Sequence, residues 1–271
     1  MNTNESRAVF LWLSLPLAAL VVIAGYGGLF WPAIYSREMS IGVTEARATD
    51  TINIVVAAPV LVLSAIFAFG KSTGAHFVWM GALLFLIYNF VIYAFDVHFN
   101  SLFLVYCAVL GLSFYALLVS LRFISISEIA ARYGQRAPAR TIAVVFLLLA
   151  SFFGFLWLRE IIPALWSGVP PKSVAEGAAF TNPVHVLDLS FVLPAHVIVA
   201  IALLRRKPVG FFLAPVLLAF GSLMFIAIAG LVFAMNLAGF PAERAQAAVL
   251  LVAAAGFAVL FVLCLRKRSA V

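Results

Sequence analysis

The segment Asn182-Pro183-Val184-His185-Val186-Leu187-Asp188, followed by Pro194 and His196, places two imidazoles and a carboxylate inside an apolar run. Such groups can relay protons, hold a hydroxyl or amine by hydrogen bonds, or ligate a cation. In hydrocarbon they are costly, so they face a protein interior, a cavity or the aqueous boundary. Asn182 is a good helix N-cap, and Pro183 suits the first helical position. At 100° per residue, His196 falls about 20° from His185 and Asp188 about 60° to the other side, so the three share one face. Pro194 lacks an N–H and frees the carbonyl of Ser190, which predicts a kink beside His196.

Further residues of this kind recur along the chain. Asn89, Tyr93 and Asp96 are spaced 4 and 3 apart, on one helical face. Asp50 and Asn53 open the second apolar run, Arg159-Glu160 close the fifth, and His98 and Asn100 lie in a tight turn. His76, at the start of the third run, reads as an interfacial residue.

The spacings limit the chemistry. Asp96, His98, His185 and Asp188 have the donor types of a divalent-metal site, but no His-x-x-x-His or His-Glu-x-x-His spacing occurs, so no metal is assigned. Only His196 lies deep, which leaves a b-type haem without a histidine pair. Ser167, Ser173 and Ser190 lack a Gly-x-Ser-x-Gly elbow. There is no glycine-rich phosphate loop and no lysine deep in an apolar run. No particular cofactor and no catalytic residue is indicated. Cys107 and Cys264 fall in apolar runs, where a disulfide is not expected.

The elements that position these groups follow from composition. The 271 residues are 66% apolar and 10% charged, with a mean hydropathy of +1.17. Soluble domains are about 45–50% apolar and about 25% charged, so this is an integral membrane protein. Roughly 20 apolar residues cross the hydrocarbon as a helix. Eight stretches qualify: 8–30, 51–70, 75–96, 101–121, 141–162, 183–204, 209–236 and 243–265. They are continuously apolar, which predicts helices and not barrel strands. The first exceeds the roughly 7–15 apolar residues of a signal peptide, and reads as an anchor.

Eight crossings return both termini to one side. The loops then divide the charge into +10 on the terminal side and −3 on the other. The basic side is cytoplasmic by the positive-inside rule, so both termini are expected there. The pI near 9.8 follows from this topology and from attraction to anionic lipid. No nucleic-acid partner is implied. Membrane lipids, a small-molecule ligand and a further copy of the chain are the expected partners, and the plasma or bacterial inner membrane is the expected location.

Three loops are long. Residues 31–50 and 163–182 are placed outside. The cytoplasmic 122–140 carries Ser125-x-x-Glu128, a capping-box spacing that predicts a short surface helix ending at Gly134. Trp12, Trp31, Trp79, Trp157 and Trp166 fall near run boundaries and read as an aromatic belt.

A repeat is visible. Pro32-Ala33-Ile34-Tyr35-Ser36 and Pro163-Ala164-Leu165-Trp166-Ser167 end the first and fifth runs. Placing Pro59 over Pro194 sets Asp50 over His185, Asn53 over Asp188 and Lys71 over Arg206. The reading is a single membrane domain, 1–271, divisible into parallel four-helix halves 1–121 and 141–271 joined by 122–140.

The expected architecture is therefore an all-α bundle of eight transmembrane helices. The expected function is a pocket, open to the extracytoplasmic face, for a small polar molecule or lipid headgroup. Its lining would be His185, Asp188, Asp96, Asn89, Tyr93, Asp50, Asn53 and His196. The alternatives are a small-solute transporter, proton-coupled through His196 and Asp188, and a membrane-embedded enzyme acting on a lipid or isoprenoid, with His185 as base.

Overall fold

An apolar run in hydrocarbon must pair every backbone amide within itself, and an α-helix does this with local bonds alone. The computed structural model describes residues 3–123, 125–134, 137–177 and 180–266. Among these, all regular structure is helical. The helices are α1 (Thr3–Phe30), α2 (Ser40–Ile52), α3 (Ala58–Phe69), α4 (Thr73–Phe95), α5 (Phe103–Ser120), α6 (Ile126–Tyr133) and α7 (Ala139–Ser167). There follow α8 (Lys172–Gly177), α9 (Pro183–Leu187), α10 (Leu193–Leu204), α11 (Pro208–Leu237) and α12 (Arg244–Cys264). Eight continuous helical spans among the described residues are long and apolar enough to cross a membrane, in the order the sequence predicts. The molecule has the architecture of a multi-pass membrane protein.

Two boundaries differ from the sequence reading. The second span begins at Ser40, so most of the expected loop 31–50 is helix. In its polar first turns Thr44, Thr49 and Thr51 each satisfy their hydroxyls on the carbonyl four residues earlier, so these side chains need no partner outside the helix. Asp50 consequently lies ten residues inside a helix. The fifth span runs through Pro163 to Ser167. Proline removes one backbone donor there, and the helix stops instead at Gly168, whose φ of 69° provides the left-handed cap.

Two other expectations are met. The Ser125 hydroxyl accepts from the Glu128 N–H at 3.4 Å and starts α6, which ends at Gly134. Asn182 Oδ1 accepts from the N–H groups of Val184 and His185, at 2.9 and 3.2 Å.

The helix around Pro194 widens into a π-turn, Asp188–Val192, before resuming as α10 with that proline in its first turn. Another π-turn, Asn53–Ala57, joins α2 to α3, with Pro59 in the first turn of α3. In each helix the wider turn lies ahead of a proline that cannot donate a backbone bond. Both helices close alike. Lys71 and Arg206 adopt positive φ, 72° and 54°. The Ser72 N–H reaches the Phe67 carbonyl, and the Lys207 N–H that of Ala202, as in a Schellman motif.

The chain forms two compact units. One comprises Met1–Ile124 with Pro215–Phe261, the other Ser125–Ala214 with Val262–Val271. In the first, α1 packs along α3 and α5, and α4 lies against α3 and α5. Its core includes Phe77, Trp79, Phe85 and Phe90. His76 is buried in this core, with its ring edge-on to Phe10 at 4.7 Å. Trp79, expected in an aromatic belt, is fully buried and donates its indole N–H to Ser14 Oγ at 2.7 Å. Gly81 lets α4 and α11 approach backbone to backbone, since a Cβ there would stand 2.6 Å from the Ala219 Cβ. In the second unit, α10 packs along α7.

Candidate functional site

The first polar centre is built on Asp50. The side chain is 0% exposed, and both of its oxygens accept hydrogen bonds. The Tyr35 hydroxyl donates to Oδ2 at 2.7 Å, and the Tyr93 hydroxyl to Oδ1 at 2.8 Å. Tyr93 also lies 3.3 Å from the Ala46 carbonyl. One helical turn further along each helix, the Asn89 amide donates to Asn53 Oδ1 at 3.5 Å. Asn89 and Tyr93 are four residues apart on α4, and Asp50 and Asn53 three apart on the second span, about one turn in each.

Tyr35 comes from the short segment between α1 and α2. Its position beside a buried carboxylate has a clear electrostatic result. Burial, and then the Asp50 charge, push the Tyr35 phenol well above its ordinary range, so it remains a donor. Tyr106 completes the aromatic wall, with its ring 5.2 Å from that of Tyr93. Gly28 of α1 closes the other side. A Cβ at this position would overlap Asp50 Oδ2 and stand 2.6 Å from the Tyr35 hydroxyl.

Asp96 does not join this centre. α4 ends at Phe95, and Asp96 is its exposed C-cap. Nearby, the His98 backbone N–H and ring Nδ1 both meet Glu38 Oε1, at 2.8 and 3.0 Å. Asn100 braces the following turn by accepting from the Leu102 N–H.

The second centre lies in the other compact unit, on α7 and the span from Pro183 to Leu204. Trp157 and Glu160 are three residues apart on α7; His185 and Asp188 have the same spacing opposite them. The Trp157 indole donates to Asp188 Oδ2 at 2.9 Å, and its ring lies 4.7 Å from that of His185. His185 Nε2 is 3.7 Å from Glu160 Oε2, beyond hydrogen-bond length. Glu160 Oε1 is held by the Ser173 N–H at 2.9 Å.

His196 lies eleven residues further along, also against α7, with its ring edge-on to Phe146 at 4.7 Å. Its Nδ1 is 2.7 Å from the Val192 carbonyl, which can only accept, so Nδ1 carries a proton. Nε2 is buried with no partner.

The eight residues expected to line one site therefore fall into groups. Asp50, Asn53, Asn89 and Tyr93 meet in the first unit. His185, Asp188 and His196 share the α7 face in the second, and Asp96 stands apart. Tyr35, Gly28, Trp157 and Glu160 were not among them. Tyr35 and Trp157 carried signals that could have found them: Tyr35 stands in one of the two repeated Pro-Ala segments, and Trp157 lies three residues before Glu160. No group of three or more metal-ligating side chains occurs among the described residues.

No known protein family, characterised protein or solved structure matches this chain. The chemistry of these two centres must carry the functional reading.

Proposed function

We propose that this protein is a proton-linked carrier of a small polar solute, with Asp50 as the group that gains and loses the proton. The observation that carries this reading is the complete burial of Asp50 between two tyrosine hydroxyls, in a helix interrupted by a π-turn. Ionisable groups inside membrane proteins mark proton relays and substrate paths. Tyrosine is a neutral partner, so protonation of Asp50 removes a charge without stranding a buried cation.

The local likeness of the second and sixth spans supports two parallel repeats. Their π-turns begin at Asn53 and Asp188, and their positive-φ residues are Lys71 and Arg206, the pairs that the alignment of Pro59 with Pro194 superposes. Parallel repeats with interrupted helices are a common architecture of secondary transporters. The basic loops and both termini then face the cytoplasm, and the polar ends of α2 and α9 the outside. The cell membrane is the natural host.

The test is reconstitution in liposomes with a pH-sensitive dye inside and a panel of amino acids, amines, small organic acids and sugars outside. At least one solute is expected to drive proton movement, and Asp50→Asn to abolish it. A silent panel, or wild-type proton movement in Asp50→Asn, would overturn the reading.

A second reading, a binding pocket open to the extracytoplasmic face, is favoured by Glu160, whose side chain is 29% exposed while the facing His185 is buried.

A further inference from the structure

We infer that Glu160, His185 and Ser173 form a binding site for a primary ammonium group. Three atoms carry the argument. Glu160 Oε2 faces His185 Nε2 at 3.7 Å, too far for a direct bond. His185 is 6% exposed, and its Nε2 has no hydrogen-bond partner. The buried Ser173 hydroxyl, on the residue whose backbone N–H holds Glu160, lies beside the same carboxylate and keeps its own lone pairs free to accept when it donates there. Buried polar atoms that lack partners are uncommon in folded proteins and cost stability unless something fills the gap.

The spacing suits a single bridging atom. A nitrogen placed about 2.8 Å from both Oε2 and Nε2 sees them at an angle of about 83°, within reach of two N–H bonds on one centre. An alkylammonium has three N–H donors and no acceptor. The carboxylate, the imidazole lone pair and the serine hydroxyl supply three acceptors. The Trp157 ring, 4.7 Å from His185, adds an aromatic wall favourable to a cation. Asp188, held by the Trp157 indole, is a further carboxyl group on the same span as His185. The exposed part of Glu160 gives access. An anionic ligand would meet the carboxylate unfavourably, and a quaternary ammonium would leave all three acceptors unbonded.

The ammonium could belong to a free amine or to an ethanolamine phospholipid headgroup, and one experiment separates them. Purified protein in neutral detergent is titrated with ethylammonium chloride, with sodium and tetramethylammonium chlorides as ionic-strength controls, and thermal unfolding is followed. Ethylammonium is expected to raise the midpoint saturably and the controls not to. Glu160→Gln keeps an oxygen for the Ser173 N–H, and is expected to weaken the effect roughly tenfold or more. Ser173→Ala, which removes one neutral acceptor, is expected to weaken it less.

The titration is repeated in phosphatidylcholine nanodiscs with and without phosphatidylethanolamine. If the headgroup is the source, the ethanolamine lipid raises the midpoint and suppresses the ethylammonium response; if a free amine is, the response persists in both. No saturable response in wild type, or unchanged affinity in both variants, would overturn the inference. This site shares no residue with the Asp50 centre, so loss of proton movement would leave the result standing.

Discussion

Gly28 of α1 and Asp50 of α2 lie so close that no side chain fits between them. The carboxylate occupies the space that a Cβ would need. Gly28→Ala is therefore expected to destabilise the protein by about 1–3 kcal/mol, the usual cost of overpacking a buried contact. Asp50→Ala should relieve much of that penalty, so the double variant will be more stable than the two single losses added together. Thermal unfolding in detergent measures both. An alanine at position 28 tolerated without loss would refute the contact.

Tyr35→Phe leaves Asp50 Oδ2 without a donor, and is expected to cost about 1–3 kcal/mol. It also predicts a pH dependence. The folded phenol is raised above its unfolded value near 10, so its contribution is fully present below pH 10 and declines as pH rises further. Stability measured between pH 9 and 11.5 should fall more steeply in wild type than in Tyr35→Phe. Parallel curves would contradict the placement.

Trp157→Phe keeps an aromatic ring but removes the indole N–H that reaches Asp188. A loss of about 1 kcal/mol or more is expected, and little further loss when Asp188→Asn is added. Fully additive losses would show that the two residues do not interact.

The charge pattern predicts that reporters fused to either terminus lie in the cytoplasm. A fused green fluorescent protein should fluoresce at both ends, and an alkaline phosphatase should be inactive at both. The opposite pattern at either end would invert the topology.

The number and order of the spans were legible because hydropathy over 20 residues depends only on composition. Their ends were not. Ser40–Asp50 is polar and reads as a loop, yet its threonine hydroxyls bond back to the helix carbonyls. Pro163 reads as a terminator, but one missing donor does not end a helix that has a glycine cap five residues later. The π-turns were also hidden, since periodicity assumes a constant 3.6 residues per turn. Within the site, residues linked by helical spacing were found together: Asn89 with Tyr93, and His185 with Asp188. Tyr35 was missed because a segment between helices has no periodicity. Trp157 was missed because an aromatic near a helix end reads equally well as an interfacial anchor.

Helix lengths bear on the membrane that can host this chain. α11 is apolar from Pro208 to Leu237, about 45 Å of helix, while α5, with the 3-10 turn Leu121–Phe123 that continues it, reaches only about 33 Å. A hydrocarbon layer of about 30 Å suits the second, and the first must tilt within it or project beyond it. Thickening the bilayer would accommodate α11 but draw the ends of α5 into oil. The short helix therefore limits the bilayer thickness that this set of spans can tolerate.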